Sequence, residues 1–176
     1  LFDFARTGAA LAVCLADGPE GDAVALLIGG DLSGVQDWLY TIGSSGAARS
    51  LRGRSVYLQL LSEIIALYVL DELGLPVCNL LYVGGGNFYV LAPVAAAGQL
   101  PGLQAAISRR LLAMHGGALY VALGHTEITR GGLLDQQIGG AWGRVNQALG
   151  AAKRQRFSEL DDAVLAQALS EPLAGT

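Results

Sequence analysis

Two short apolar runs, Leu80–Val83 and Phe88–Leu91, are separated by Gly84-Gly85-Gly86-Asn87. Apolar segments this short, joined by turn residues, constrain the chain to a hairpin whose strands are buried. A two-residue hairpin turn needs positive φ at two positions, and Gly-Gly supplies that. A third glycine adds backbone entropy that folding must overcome. The excess suggests that something approaches the backbone closely at this tip.

The remaining segments fall around the hairpin in a simple order. Ala23–Ile28 is a continuous apolar run, suited to a central strand covered on both faces. It ends at Gly29-Gly30-Asp31, and "SGVQDWLYTI" then reads as a helix with Ser33 or Asp31 as its N-cap. "GSSGAARSLRGRS" reads as a glycine, serine and arginine loop. The strongest helix signal follows over Val56–Leu73, with Tyr57, Leu60, Leu61, Ile64, Leu67 and Tyr68 at helical spacing. Gly74 stops it and Pro76 prevents restart. After the hairpin come a helix over Leu103–Met114, a strand in "ALYVALGHTEI", and helices over Gln136–Leu149 and Glu159–Leu169 around the basic joint "AAKRQRF". A helix over residues 4–16 precedes everything, and the tail 171–176 reads as disordered.

Without the first and last helices the order is strand, helix, strand, strand, helix, strand. That is the split βαβ pattern of the ferredoxin-like superfold. The fold class is therefore α+β, with a four-stranded antiparallel sheet, helices on one face, and flanking N- and C-terminal helices. The chain order is read as placing the first strand beside the strand ahead of the glycines, in the sheet centre. Two glycine-rich loops, Gly29-Gly30-Asp31 and Gly84-Gly85-Gly86, then meet at one edge beside a helix N-terminus.

Composition narrows the partners. Of 176 residues, 52% are hydrophobic and 15% charged, so a core is easily built and apolar surface is left over for partner chains. No run reaches the ~18 apolar residues that a membrane span needs. The start lacks methionine and the basic opening of a signal peptide, so the chain reads as a piece of a longer protein. Cys14 and Cys78 lie in apolar segments without a metal-ligand spacing, which suits buried thiols in a reducing cytoplasm. The net charge of −4 argues against strong nucleic-acid binding by this chain alone. Its arginines nevertheless cluster, as Arg49, Arg52 and Arg54 and again around Lys153, Arg154 and Arg156, and local patches of this kind suit a phosphate ligand.

The candidate site follows from that placement. Asp31, Leu32, Ser33 and Gly34 form one side, and Gly84, Gly85, Gly86 and Asn87 the other. A helix N-terminus offers free N–H groups and partial positive charge to a phosphate. Ser33 and Asn87 add hydrogen bonds, Arg52 and Arg54 add charge, and Asp31 is the one candidate for a divalent cation. Metal-assisted phosphoryl transfer commonly uses at least two carboxylates. The tip Gly-Gly-Gly-Asn has none, so binding rather than catalysis is expected and no catalytic residue is assigned. His115 and His125 lack ligand spacing, and Trp38, Trp142, Tyr40 and Tyr57 suit a core or an interface. Glu63, Asp71 and Glu72 suit the solvated stripe of the long helix.

"GDLSGVQDWLYTIGSSGAARSLRGRSVYLQLLSE" followed by "NLLYVGGGNFYVLAP" closely resembles the large subunit of type III-A (Csm) CRISPR effector complexes, at its first Palm domain, a cyclase- or GGDEF-like module. The resemblance covers about residues 24–160. It implies residues 1–18 as the closing helix of an HD nuclease domain, 19–130 as the Palm domain, and 131–170 as C-terminal helices with the basic joint. In the family two Palm domains face each other and hold one ATP each, with Mg²⁺ or Mn²⁺ in the parent protein. Target RNA recognition switches on synthesis of cyclic oligoadenylates in antiviral defence, and the catalytic "GGDD" belongs to the second Palm domain. The resemblance therefore implies an ATP-holding half-site without catalysis of its own. Its implied partners are the second Palm domain of the same chain and other Csm subunits with CRISPR RNA and target RNA. Asp3-Phe4 stands where the family usually has Asp-His, so HD nuclease activity is not expected of this chain. A scaffold module with no ligand role is the competing reading.

Overall fold

The computed structural model describes residues 2–16, 18, 21–40, 47–134 and 138–170. In chain order they form α1 (Phe2–Leu15), β1 (Ala23–Ser33), α2 (Val35–Tyr40), α3 (Ala47–Glu72), β2 (Leu80–Gly84), β3 (Asn87–Ala92), α4 (Leu100–His115), β4 (Tyr120–Thr129), α5 (Arg130–Leu134), α6 (Ile138–Arg154) and α7 (Asp162–Ser170). The expected tail 171–176, Gln136 and Gln137 of the expected helix, and the whole Gly43–Gly46 stretch lie outside the described residues.

The strands form one antiparallel sheet in the order β2-β3-β1-β4. This is the βαββαβ arrangement expected, with one correction. The central neighbour of β1 is β3, the strand after the glycines, and β2 lies at the edge. The crossover through α3 carries the chain past one strand position, and the hairpin then returns β3 into the gap. The turn therefore still lies at the carboxyl end of β1, where Asp31 pairs with Asn87 in register.

Alternation along β1 divides the core. Leu26, Ile28 and Leu32 face α3 and α4, packing with Leu58, Ile65, Val69 and Ile107. Ala25 and Leu27 face α1 and α6, packing with Ala10, Cys14, Ala141 and Val145. Tyr120 and Ala122 of β4 continue that second face against Leu149. The flanking helices thus cover the sheet's other side. Burial pushes the Cys14 thiol up to about 11, as expected of an inert core cysteine.

Three boundaries differ most from the sequence reading, one of them at α6, which runs to Arg154 rather than Leu149 and takes Ala151, Ala152, Lys153 and Arg154 of the expected basic joint into the helix. β1 runs through Gly29-Gly30-Asp31 to Ser33, so the first glycine group is not a loop. A Cβ at Gly30 would lie 2.1 Å from the Phe88 ring, and one at Gly29 3.0 Å from Leu149. These glycines make room for an aromatic ring on one face and for α6 on the other. α3 begins at Ala47 rather than Val56, so Arg49, Arg52 and Arg54 are helical. It ends as expected at Gly74, φ 64°, with Leu75 N–H donating to Leu70 O at 2.8 Å. Arg49–Glu72 is also long and apolar enough, by length and composition alone, to cross a membrane, although its apolar run is interrupted by polar residues. A third of its apolar window, 33%, is buried against the rest of the fold.

Two polar side chains fasten the edges. Asn79, wholly buried, donates to Leu91 O at 2.6 Å and Ala10 O at 3.4 Å, tying α1 to β3. Gln104 of α4 accepts from Leu123 N–H at 2.7 Å and donates to Val121 O at 2.8 Å. It acts as a short extra strand against the free edge of β4.

Candidate functional site

The hairpin tip is a two-residue turn. Gly84 pairs with Asn87, and Gly85 and Gly86 have φ of 61° and 85°. Positive φ at both central positions defines a type I′ turn and accounts for those two glycines. A Cβ at Gly85 would meet nothing within 4 Å, and one at Gly86 would make only ordinary contact with Leu32. Gly86 O accepts from Leu32 N–H at 2.8 Å, which fastens the turn to the end of β1.

Beside this turn lies a cavity of about 300 Å³, lined by Leu32, Val35, Leu39, Ser55, Leu58, Gln59, Gly85 and Gly86. The turn, the end of β1, α2 and α3 all reach it. Its floor is apolar, and Ser55 and Gln59 supply a hydroxyl and an amide. Arg52 precedes Ser55 by three residues and Gln59 by seven, so helix geometry sets it on the same side of α3, although it does not line the cavity. Arg52 is exposed. Sequence reasoning missed Val35, Leu39, Ser55, Leu58 and Gln59. The spacing Arg52, Ser55, Gln59 was a usable signal, hidden by reading that segment as a loop.

The other expected site residues are placed elsewhere. Asp31 projects to the opposite face, where the Lys153 ammonium pairs with its carboxylate. Ser33 lies opposite Tyr120 on that same face, and its buried hydroxyl oxygen has no hydrogen-bond partner. Neither residue caps α2: Gly34 O accepts from Trp38 N–H at 3.0 Å, so Gly34 is the cap position. Gly34, φ 86°, leaves no space for a ligand either, since a Cβ there would lie 1.9 Å from Ala118 O. Arg54 donates to Trp38 O and lies 4.9 Å over the Trp38 ring, tying α2 to α3. Asn87 donates to Gly85 O at 3.4 Å, inside the turn. The shared edge expected of Asp31–Gly34 and Gly84–Asn87 exists, but the sheet divides its side chains between two faces.

These residues do not fit a metal centre. Asp31 is committed to Lys153, and among the described residues no group of three or more His, Cys, Asp or Glu is gathered for a cation. His115 instead packs edge-on to Trp38 and hydrogen-bonds Tyr57 at 3.0 Å through Nε2. Burial lowers its pKa below the ordinary imidazole value.

Known proteins share both the sequence and this arrangement. The family model for Csm1 subunit domain B matches residues 24–171. The single-strand-specific deoxyribonuclease Cas10/Csm1 (subtype III-A) of Methanocaldococcus jannaschii is 40% identical over 103 residues, 58% of this chain. Its Streptococcus thermophilus counterpart is 48% identical over 101 residues, 56% of this chain. The aligned part is 13% of the length of each relative. Among solved structures, the Csm1-Csm4 cassette in complex with one ATP matches with TM-score 0.76 and 25% identity, covering 95% of this chain and 25% of that one. The apo cassette matches with TM-score 0.76 and 27% identity, over 96% and 25% respectively. Sequence, sheet order and hairpin thus agree on one assignment, and the chain belongs to the Csm1 subunit domain B family.

Proposed function

We propose that this domain holds one adenine nucleotide in the cavity between the Gly85-Gly86 turn and α3, as a half-site without catalysis of its own in a type III-A CRISPR large subunit. The observation that carries this reading is the cavity itself: an apolar floor with one amide and one hydroxyl, beside a turn whose outer glycine leaves the space of its absent Cβ empty. At about 300 Å³ it is at the small end of ligand pockets, with room for a base and sugar rather than a whole triphosphate. The phosphates then extend past the turn toward Arg52. ATP in the related cassette supports the ligand class.

The half-site lacks the means for phosphoryl transfer. Its tip has no carboxylate, Asp31 is paired with Lys153 on the other face, and Glu63 accepts from the Gln59 amide at 3.2 Å. Oligoadenylate synthesis on target RNA recognition then falls to a second Palm domain of the parent protein. In the same reading α1 is the last helix of an HD domain, with residues 19–130 as the Palm domain. The cassette relatives support neighbouring Csm subunits as partners.

Calorimetric titration of ATP into the parent large subunit tests the reading through Ser55→Trp, at an exposed position on the cavity wall. The expected result is a loss of affinity of about tenfold or more, equivalent to ~1.4 kcal/mol. Unchanged affinity in the folded variant would remove the nucleotide from this cavity. The scaffold reading keeps one observation in its favour, the exposed apolar stripe on α3.

A further inference from the structure

The outer surface of α3 is built for a neighbour. Val56, Leu60, Ile64 and Leu67 follow one another at spacings of four, four and three, and they are 57%, 51%, 61% and 50% exposed. None belongs to the buried core, to which α3 contributes Leu58, Leu61, Ile65, Ala66, Val69 and Leu70. Beside the stripe an apolar groove of about 410 Å³ runs between α3 and α4, with Tyr68 and Met114 on its walls. Surfaces of this kind on a soluble domain mark interaction sites.

Charge at the two ends of the stripe indicates the neighbour's direction. Continuing the spacing, Gly53 and Arg49 precede Val56, and Asp71 follows Leu67. Arg49 lies in the first turn of α3 and Asp71 in the last. That order opposes the helix's own dipole, which favours acids at the N-terminus and bases at the C-terminus. An antiparallel helix on the stripe reverses the balance. Its negative C-terminal end meets Arg49, and its positive N-terminal end meets Asp71. Gly53, with nothing near its missing Cβ, permits close approach.

We propose that α3 is the docking face for an antiparallel amphipathic helix from another part of the same large subunit. The occupant presents apolar residues at three- and four-residue spacing, with its C-terminal carbonyl end over Arg49 and its N-terminal amide end over Asp71. The match to only 25% of the related cassette chains means that most of such a subunit lies outside this domain. The proposal rests on the family assignment and is independent of the nucleotide reading.

The test uses the full large subunit without nucleotide. A photoreactive benzoylphenylalanine replaces Leu60 or, separately, Ile64, both half-exposed positions that tolerate it. Mass spectrometry after irradiation is expected to find a cross-link to a helix of the same polypeptide running antiparallel to α3. A cross-link to a second copy or to another subunit, a lipid adduct, or no cross-link overturns the proposal. Arg49→Glu and Asp71→Lys supply the second readout. The dipole of α3 alone predicts that both raise the melting temperature, whereas a docked antiparallel helix predicts that both lower it. A rise or no change contradicts the proposal whatever happens to ATP binding.

Discussion

A methyl group added at Gly30 would sit 2.1 Å from the Phe88 ring, and one at Gly34 would sit 1.9 Å from the Ala118 carbonyl oxygen. A methyl group added at Gly85, a short distance away along the same sheet edge, would meet nothing within 4 Å. The two groups look alike in sequence, each a cluster of glycines ending in a short polar residue. In the first, the space left by the missing side chain is filled by the protein's own ring, helix or backbone. In the second, the Tyr82 hydroxyl fills the space at Gly84, 2.8 Å from where its Cβ would be, while Gly85 and Gly86 satisfy the turn and Gly85 leaves its outer side open. A glycine-rich motif therefore indicates a ligand only after its own chain has been shown not to occupy the vacancy.

The largest test of this contrast is Gly34→Ala. It combines a φ of 86° with a backbone clash, and a loss of at least ~3 kcal/mol in chemical denaturation is expected. Gly30→Ala should cost about 1–3 kcal/mol by overpacking against the buried Phe88. Gly85→Ala should cost only the left-handed backbone penalty of about 1–2 kcal/mol, because space is available. If Gly85→Ala destabilised as much as Gly34→Ala, the two groups would not differ as described.

A smaller effect separates the two faces. Asp31→Asn breaks the pair with Lys153, whose side chain is 37% exposed. After solvent screening that pair contributes about 1 kcal/mol or less. The expected outcome is a slightly lower melting temperature with ATP affinity unchanged. A large affinity loss in this variant would return the ligand to the Asp31 face.

The smallest effect is set by pH. Burial lowers the His115 pKa in the folded chain relative to its ordinary 6.5. The unfolded chain then binds the proton more readily, so this contribution is full above pH 6.5 and declines as pH falls through 6.5 toward the lower folded value. Thermal melts at successive pH values should show His115→Gln losing less stability on acidification than wild type. Parallel losses would mean that His115 does not set this dependence.

Much of the fold was legible in the sequence because each element carried its own period and stop signal. The long apolar runs, Gly74 and the hairpin glycines gave the βαββαβ order. The errors have physical causes. Gly29-Gly30 looks like a strand end because glycine weakens strands, yet Phe88 and α6 require its absent side chain there. Residues 47–55 look like a loop because of their glycine and serine, although alanine and arginine favour helix and a single glycine is tolerated. The helical period in Leu60, Ile64 and Leu67 was visible, but one strand of sequence could not tell a core face from an interface. The site was only half legible: the turn and Leu32 were found, but alternation along β1 sends Asp31 and Ser33 to the other face. The buried clamp of Asn79 had no sequence signal, since its partners Ala10 O and Leu91 O are backbone atoms brought together by folding.

The central claim is that nucleotide occupies the α3 face of this sheet edge and leaves the Asp31–Lys153 face empty. Photolabelling of the parent large subunit with 8-azido-ATP, followed by peptide mapping, locates the base directly. The label is predicted on the α3 peptide containing Ser55 and Gln59 or on the α2 residues Val35 and Leu39, and excess ATP should prevent it. Label on the α6 peptide containing Lys153, or none anywhere in this domain, would contradict the account.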